Sequence, residues 1–266
     1  MGPRLTTTDA EPARADRLLA FLVDGDNATA SLIGEVLEEA SKYGTLIIRR
    51  VYGDWTSPSL QSWRSILQEH ALDPEQQFSN VAGKNATDSA LIIDAMDILH
   101  RGIVRGFCIV SSDSDYTRLA KRIREEGYFV MGIGRGATPA AFRNACHVFV
   151  SIENLAPVPK KTPLPTPPQE ATPVSPVLTE APKRPAAEAI PILQKAFDAV
   201  VDEDGHAQLA SLGNALLKLD PAFDPRSFGR SGLMTLLDAL PEEFLLEKPK
   251  DGRPGVVFVR RQSAPG

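Results

Sequence analysis

Four carboxylates stand where a chain rarely places them by accident. Asp113 and Asp115 lie in IVSSDSDY (109–116), just past a short apolar run. Asp24 ends another apolar run in VDGDN, and Asp88 opens a helical pattern after KNAT. Carboxylates drawn together in a low-dielectric cleft repel one another and stay ionised only if a cation joins them. Mg²⁺ and Mn²⁺ are the natural candidates, because these hard ions take oxygen ligands and are held by one or two carboxylates together with substrate phosphate oxygens. Two such ions about 3.5 to 4 Å apart can activate a water and stabilise the leaving oxygen of a phosphodiester. The chemistry implied is metal-assisted hydrolysis of nucleic acid.

Each acid also has a plain structural use. Asp115 can cap the helix that follows it, Asp24 before Gly25 suits a turn, and Asp88 can offset a helix dipole. What favours a shared site is the order of elements. Strand-like runs over 18–24, 45–53, 107–111 and 128–134 alternate with helical patterns over 29–42, 58–70, 86–102 and 117–127, and a short extended piece lies near Phe78. Thr138 before Pro139 reads as the cap of one more short helix ahead of HVFVSI. This is the pattern of an α/β domain with a mainly parallel sheet, in which ligands sit outside the carboxyl ends of the strands. Asp24, Asp88, Asp113 and Asp115 then fall on one rim, with Asp24, Asp88 and Asp113 as the catalytic core of the expected site.

A second tier surrounds them. Asn27 can orient a metal-bound water or cap the next helix. Asp94 follows Asp88 by six residues, about 120° round a helix, so the two cannot both point squarely into one site, and Asp97 falls on nearly the opposite face. Lys84, Arg118 and Arg122 are candidate phosphate contacts, the last two on a helical face shared with Lys121, where a solvated face is the ordinary alternative. GIGRGATP (132–139) has the look of a phosphate-cradling turn, a weak signal on its own.

The chain has 266 residues, of which 42% are hydrophobic, and a formal net charge of −5. Residues 15–155 carry 14 basic against 18 acidic residues, and residues 188–266 carry 9 against 12, so neither half is a basic module. Only two cysteines occur, Cys108 and Cys146, which argues against a disulfide framework or a zinc cluster and for a reducing cytosol. No apolar run approaches the ~18 residues that span a bilayer, and the expected location is cytoplasmic. Residues 156–190 hold ten of the 22 prolines and no aromatic residue, the composition of an extended linker. The expected organisation is a disordered leader over 1–14, a domain over 15–155, a linker over 156–187 and a small domain over 188–262.

With VDGDN after an apolar strand, KNATDSALIIDAMD on a helix and IVSSDSDYTRLAKRIREEGYFVMGIG, the first half resembles the NYN domain, the LabA-like branch of the PIN-like nucleases. The resemblance implies a PIN-like α/β fold and a divalent-metal nuclease site made of Asp24, Asp88, Asp113 and Asp115, with Asn27 and Asp94 also at motif positions. It implies RNA as substrate and an endoribonuclease-type activity. This chain has Tyr116 where the motif more often has phenylalanine, and Ser112 where glycine is frequent. In the second half, helical patterns over 190–201, 207–219 and 225–239 precede two strand-like runs around a Gly/Pro-rich turn, a winged-helix layout. It resembles the OST-HTH, or LOTUS, domain, which implies RNA or a protein partner, and Lys248, Lys250, Arg253, Arg260 and Arg261 add positive charge around the hairpin. Homo-oligomerisation is left open. Two other readings stand beside the nuclease: a non-catalytic RNA-binding regulator that keeps the metal site as a phosphate clamp, and a haloacid-dehalogenase-like phosphatase using the DxD of Asp24 and Asp26.

Overall fold

The computed structural model describes residues 17–78, 86–155, 183–247 and 256–262. Lys84, Lys248, Lys250 and Arg253 lie outside these residues, as do most of the leader and linker expected from composition. Among the described residues no helix is long and apolar enough to cross a membrane.

The first half is built on β1 (Leu18–Asp24), whose residues from Leu19 to Asp24 are all fully buried. A run without alternation is what a central parallel strand covered on both faces requires. Around it the chain lays down α1 (Ile33–Ser41), β2 (Thr45–Gly53), α2 (Trp63–Glu69), β3 (Asp73–Gln76) and α3 (Ala86–Arg101). It continues through β4 (Gly106–Val110), α4 (Thr117–Glu125), β5 (Phe129–Gly134), α5 (Ala140–Ala145) and β6 (Val148–Ser151). The sheet order is β3-β2-β1-β4-β5-β6, and β1 pairs in parallel with both β2 and β4. From β1 the chain therefore winds outward to β2 and β3 on one side, then returns to β4 on the other. The reversal of strand order lies between β1 and β4, which is where ligand crevices form in open α/β sheets.

Register brings chemistry to that point. Val23 is level with Val110, so Asp24 and Ser111 emerge side by side at the carboxyl ends. Asp24 is level with Tyr52 on the other side, and Gly25 donates its N–H to the Tyr52 carbonyl at 2.8 Å. A Cβ on Gly25 would stand 2.7 Å from that carbonyl oxygen, so a side chain here would push the turn off the sheet. Cys108 and Cys146 are free and buried. Burial pushes the Cys108 thiol up and that of Cys146 to about 12, which leaves both as inert core residues.

Several boundaries differ from the sequence reading. The helix expected over 58–70 is a single 3₁₀ turn at Pro58–Leu60 followed by α2, and the extended piece near Phe78 lies slightly earlier, as β3. Pro139, at φ −55 and ψ 139, is itself the residue that caps α5, so Thr138 is not the cap; its hydroxyl is buried without a hydrogen-bond partner.

The described chain divides into two compact units, Met1–Cys146 and His147–Gly266. In the second, α6 (Ile190–Asp198), α7 (Leu209–Leu219) and α8 (Leu233–Leu237) accompany the antiparallel sheet β7-β9-β8, formed by β7 (His206–Gln208), β8 (Phe244–Glu247) and β9 (Phe258–Arg261). Leu193, Phe197, Leu212, Leu216, Leu236 and Val259 centre its core. This is a small winged-helix-like domain. The third expected helix, over 225–239, is interrupted: a 3₁₀ turn at Pro225–Phe228 ends on Gly229 at φ 69, a left-handed value that suits glycine, before α8 begins. Residues 207 and 208, expected to open a helix over 207–219, instead join His206 in a strand paired with β9.

Candidate metal centre

The loop after β4 begins with Ser111, whose hydroxyl donates to Asp24 Oδ2 at 2.8 Å and accepts from the Asp113 N–H at 3.0 Å. One serine thus joins the end of β1 to the acidic loop. Asp113 then caps a 3₁₀ turn at Ser114–Tyr116, accepting from the Asp115 N–H at 2.9 Å through Oδ1. The capping role that the sequence offers to Asp115 belongs to Asp113, and Asp115 stands exposed in the first turn. The same turn sends Tyr116 inward, fully buried, where its hydroxyl donates to Asp88 Oδ1 at 2.6 Å. Asp88 comes from the first turn of α3.

The result is a cluster in which one ligand atom from each of Asp88, Asp113 and Asp115 lies within 4.8 Å of the others. Asp88 is buried, Asp113 half-buried and Asp115 exposed, so the cluster opens outward from the switch point. Its donors are all carboxylate oxygens, the set that suits a hard divalent cation. Loss of hydration raises the Asp88 carboxyl above its ordinary value; the Tyr116 hydrogen bond opposes this, and the charges of Asp113, Asp115 and Asp26 add to it.

Asp24 is not in that set. Its Oδ1 accepts from the N–H groups of Asp26 and Asn27 at 3.2 and 3.3 Å, and its Oδ2 accepts from Asn27 Nδ2 at 2.7 Å as well as from Ser111. A carboxylate has about four acceptor sites, and here four donors use them. Burial raises its carboxyl, the bonds from Asn27 and Ser111 pull it down, and the charge of Asp88 raises it again.

A family model described as NYN domain matches residues 19–153, half of the chain. The chain belongs to the NYN family. A second model, the OST-HTH/LOTUS domain, matches residues 180–256. No curated protein matches the chain. Among solved structures, a protein of unknown function from Vibrio parahaemolyticus is 18% identical, covering 53% of this chain and 96% of its own, with a TM-score of 0.45. An uncharacterised protein from Nitrosomonas europaea is 26% identical, covering 41% of this chain and 96% of its own, with a TM-score of 0.26.

Within this NYN domain the second-tier residues separate. Asn27 holds the Asp24 carboxylate and does not cap the next helix. Asp94 accepts from Arg50 Nη1 and from the Tyr52 hydroxyl, and Arg50 Nε also lies 3.2 Å from Glu75 Oε1. Asp94 therefore clips α3 to β2, away from the acid cluster, as the 120° spacing from Asp88 anticipated. Arg118 is exposed in the first turn of α4. Arg122 is engaged along its own helix, 2.6 Å from Glu126 and 3.8 Å from Glu125.

Three contributors escaped the sequence reading. Ser111 bridges β1 and the β4 loop; a polar residue directly after the buried GFCIV strand was the available signal. Asp26 accepts from the Thr87 hydroxyl at 2.9 Å, tying the β1 loop to the start of α3 and adding charge beside Asp88. Tyr116 was visible as a motif residue, but nothing in the sequence reports where a phenol hydroxyl points.

Proposed function

We propose that this chain is a Mg²⁺- or Mn²⁺-dependent ribonuclease that hydrolyses RNA phosphodiester bonds at the Asp88–Asp113–Asp115 cluster, its LOTUS domain selecting RNA or a protein adaptor. The observation that carries the reading is the convergence of these three carboxylates at the switch point of an NYN-family sheet. Asp88, with Oδ1 committed to Tyr116, has Oδ2 to offer a cation. Asp113, with Oδ1 committed to the Asp115 N–H, is in the same position, and Asp115 completes the set from the solvent side. A divalent ion held there supplies Lewis acidity towards a phosphoryl oxygen and a lowered pKa for water. In this reading Asp24 organises and does not ligate: it fixes Ser111, and through Ser111 the Asp113 backbone.

The phosphatase alternative requires Asp24 to act as a nucleophile, and its full burial and four accepted hydrogen bonds favour the nuclease reading over it.

The test is cleavage of single-stranded and structured RNAs by the purified full chain, with and without Mn²⁺, beside Asp113→Asn. Metal-dependent cleavage that the variant loses is expected. Absent cleavage, or cleavage equal in the two proteins, would overturn the proposal, and metal-dependent RNA binding without turnover would replace it with a regulator that clamps phosphate.

A further inference from the structure

Two tryptophans occur in the chain, and they are used differently. Trp63 opens α2 and is 2% exposed, a core residue. Trp55 lies past the carboxyl end of β2, only half-buried, in a turn held unusually firmly for a surface loop. Its indole N–H donates to the Glu75 carbonyl at 3.1 Å, and its backbone N–H donates to Gln76 Oε1 at 3.1 Å. Gln76 Nε2 in turn donates to Asp54 Oδ1 at 3.0 Å, an oxygen that also accepts the Thr56 N–H at 3.1 Å. The ring is thereby pinned by its polar edge to β3, which lowers the rotamer freedom to be lost when something covers its face.

Phe78 follows the same strand end. Gln77 donates its N–H to the Gly53 carbonyl at 3.0 Å, and the next side chain, Phe78, is 58% exposed. Two aromatic rings are thus presented at the carboxyl ends of neighbouring strands, on the rim that carries the acids. Strands are spaced about 4.8 Å apart, so β2 is roughly 10 Å across the sheet from β4, whose end leads to Asp113.

We infer that Trp55, with Phe78 beside it, is a stacking shelf for an unpaired nucleobase of the RNA whose backbone is cleaved at the acid cluster. The inference rests on the nuclease reading and narrows its substrate to single-stranded RNA. A ligand for this place must offer a flat apolar face to the indole while its phosphate lies at the carboxylates a short distance along the rim. A few consecutive nucleotides of a single strand do both. A base inside a duplex is already stacked and paired, and its face is closed. Base–aromatic stacking is tolerant of sequence, because every base has a π-face, so the shelf selects for strandedness and not for a base identity.

The test uses full-length Asp113→Asn protein, which keeps RNA intact, titrated with labelled oligouridylate and with an RNA duplex of equal length. Binding is followed by anisotropy of the label and by tryptophan emission. Oligouridylate is expected to quench Trp55, and the quench should vanish in Trp55→Phe, which retains only the core tryptophan but keeps a ring to stack on. Trp55→Ala should weaken oligouridylate binding by about 5- to 150-fold, the worth of one stacked base, and leave duplex binding unchanged. Oligouridylate binding that leaves emission unchanged overturns the inference, and this arm stands even if Trp55→Ala fails to fold. Equal losses on both RNAs, or none, also overturn it. The two readings fail separately: cleavage by the parent chain without a Trp55 effect removes the shelf alone, and a Trp55 effect in a chain that never cleaves removes the nuclease alone.

Discussion

The hydroxyl of Tyr116 reaches Asp88 Oδ1 from a ring that is fully buried, so the carboxylate is held in one orientation before any cation arrives. Groups that orient a ligand in this way contribute to metal affinity although they never touch the metal. Tyr116→Phe keeps the ring, which packs 6.4 Å from Phe142, and removes only the donor. Mn²⁺ binding measured by calorimetry should weaken by about 10- to 100-fold while the protein stays folded. An unchanged affinity would reduce Tyr116 to a core residue. The Asp88 carboxyl itself gives a pH signature. Its value in the metal-free fold lies above the ordinary 3.8, first because burial strips its hydration and then because Asp113, Asp115 and Asp26 repel its charge. The folded state therefore binds the proton more tightly than the unfolded state does. The contribution of Asp88 to metal-free stability falls as pH rises from about 4 through the folded-state value, and the penalty is fully present above it. Asp88→Asn lifts the penalty. The metal-free variant should melt higher than wild type near neutral pH, converge with it towards about pH 4, and gain little from Mn²⁺, which stabilises wild type by occupying the cluster. Parallel melting curves across that pH range would contradict this account.

At the scale of elements, what the sequence discloses depends on how local the cause is. The uninterrupted apolar run of β1, the glycines at or just past the ends of helical patterns (Gly44, Gly102 and Gly127, all at positive φ), and the acids at strand ends are local features, and the alternation they define is the observed one. Sheet order follows from that alternation, so the gathering of Asp113 and Asp115 near Asp88 could be read before any coordinates. The errors share a different cause. β7 is three residues, His206–Gln208, too short for alternation, and it exists because β9, some fifty positions later, offers it a partner. The break at Gly229 depends on a left-handed turn that a helical apolar pattern hides. At Thr138 the local rule places proline just inside the helix, whereas here Pro139 takes an extended ψ and stands just outside it. The capping role falls to Asp113 and not to Asp115 for the same reason: type and spacing bring acids to a rim, but which oxygen is spent on a neighbouring N–H is settled by turn geometry. Ser111 illustrates the point, since its hydroxyl matters only because register sets it beside Asp24.

For the whole molecule the question is how much the two halves owe each other. Every residue that forms or braces the acid cluster, from Asp24 through Asp26, Asn27, Thr87, Asp88 and Ser111 to Tyr116, falls within a stretch of the chain that ends well before the proline-rich segment. The second domain has its own apolar core, centred on Leu193, Phe197 and Leu236, and among the described residues the acid cluster consists of Asp88, Asp113 and Asp115. Cation binding should therefore be a property of the NYN domain alone, while on the proposed function RNA selection would draw on both domains. Both halves carry more acidic than basic residues and so have little general attraction for a polyanion, and on the proposed function affinity for RNA would come from specific contacts such as the Trp55 shelf or the second domain. A chain ending at residue 155 should bind Mn²⁺ as the full chain does, to within about twofold, because the three acids and the described residues that brace them all precede that point. Its kcat on a short single-stranded RNA should be retained and its KM raised, the pattern of lost uniform binding. Calorimetry and steady-state cleavage on the two chains decide it. A truncated chain that kept KM and lost kcat would mean that the LOTUS domain acts in the chemical step and not in substrate capture.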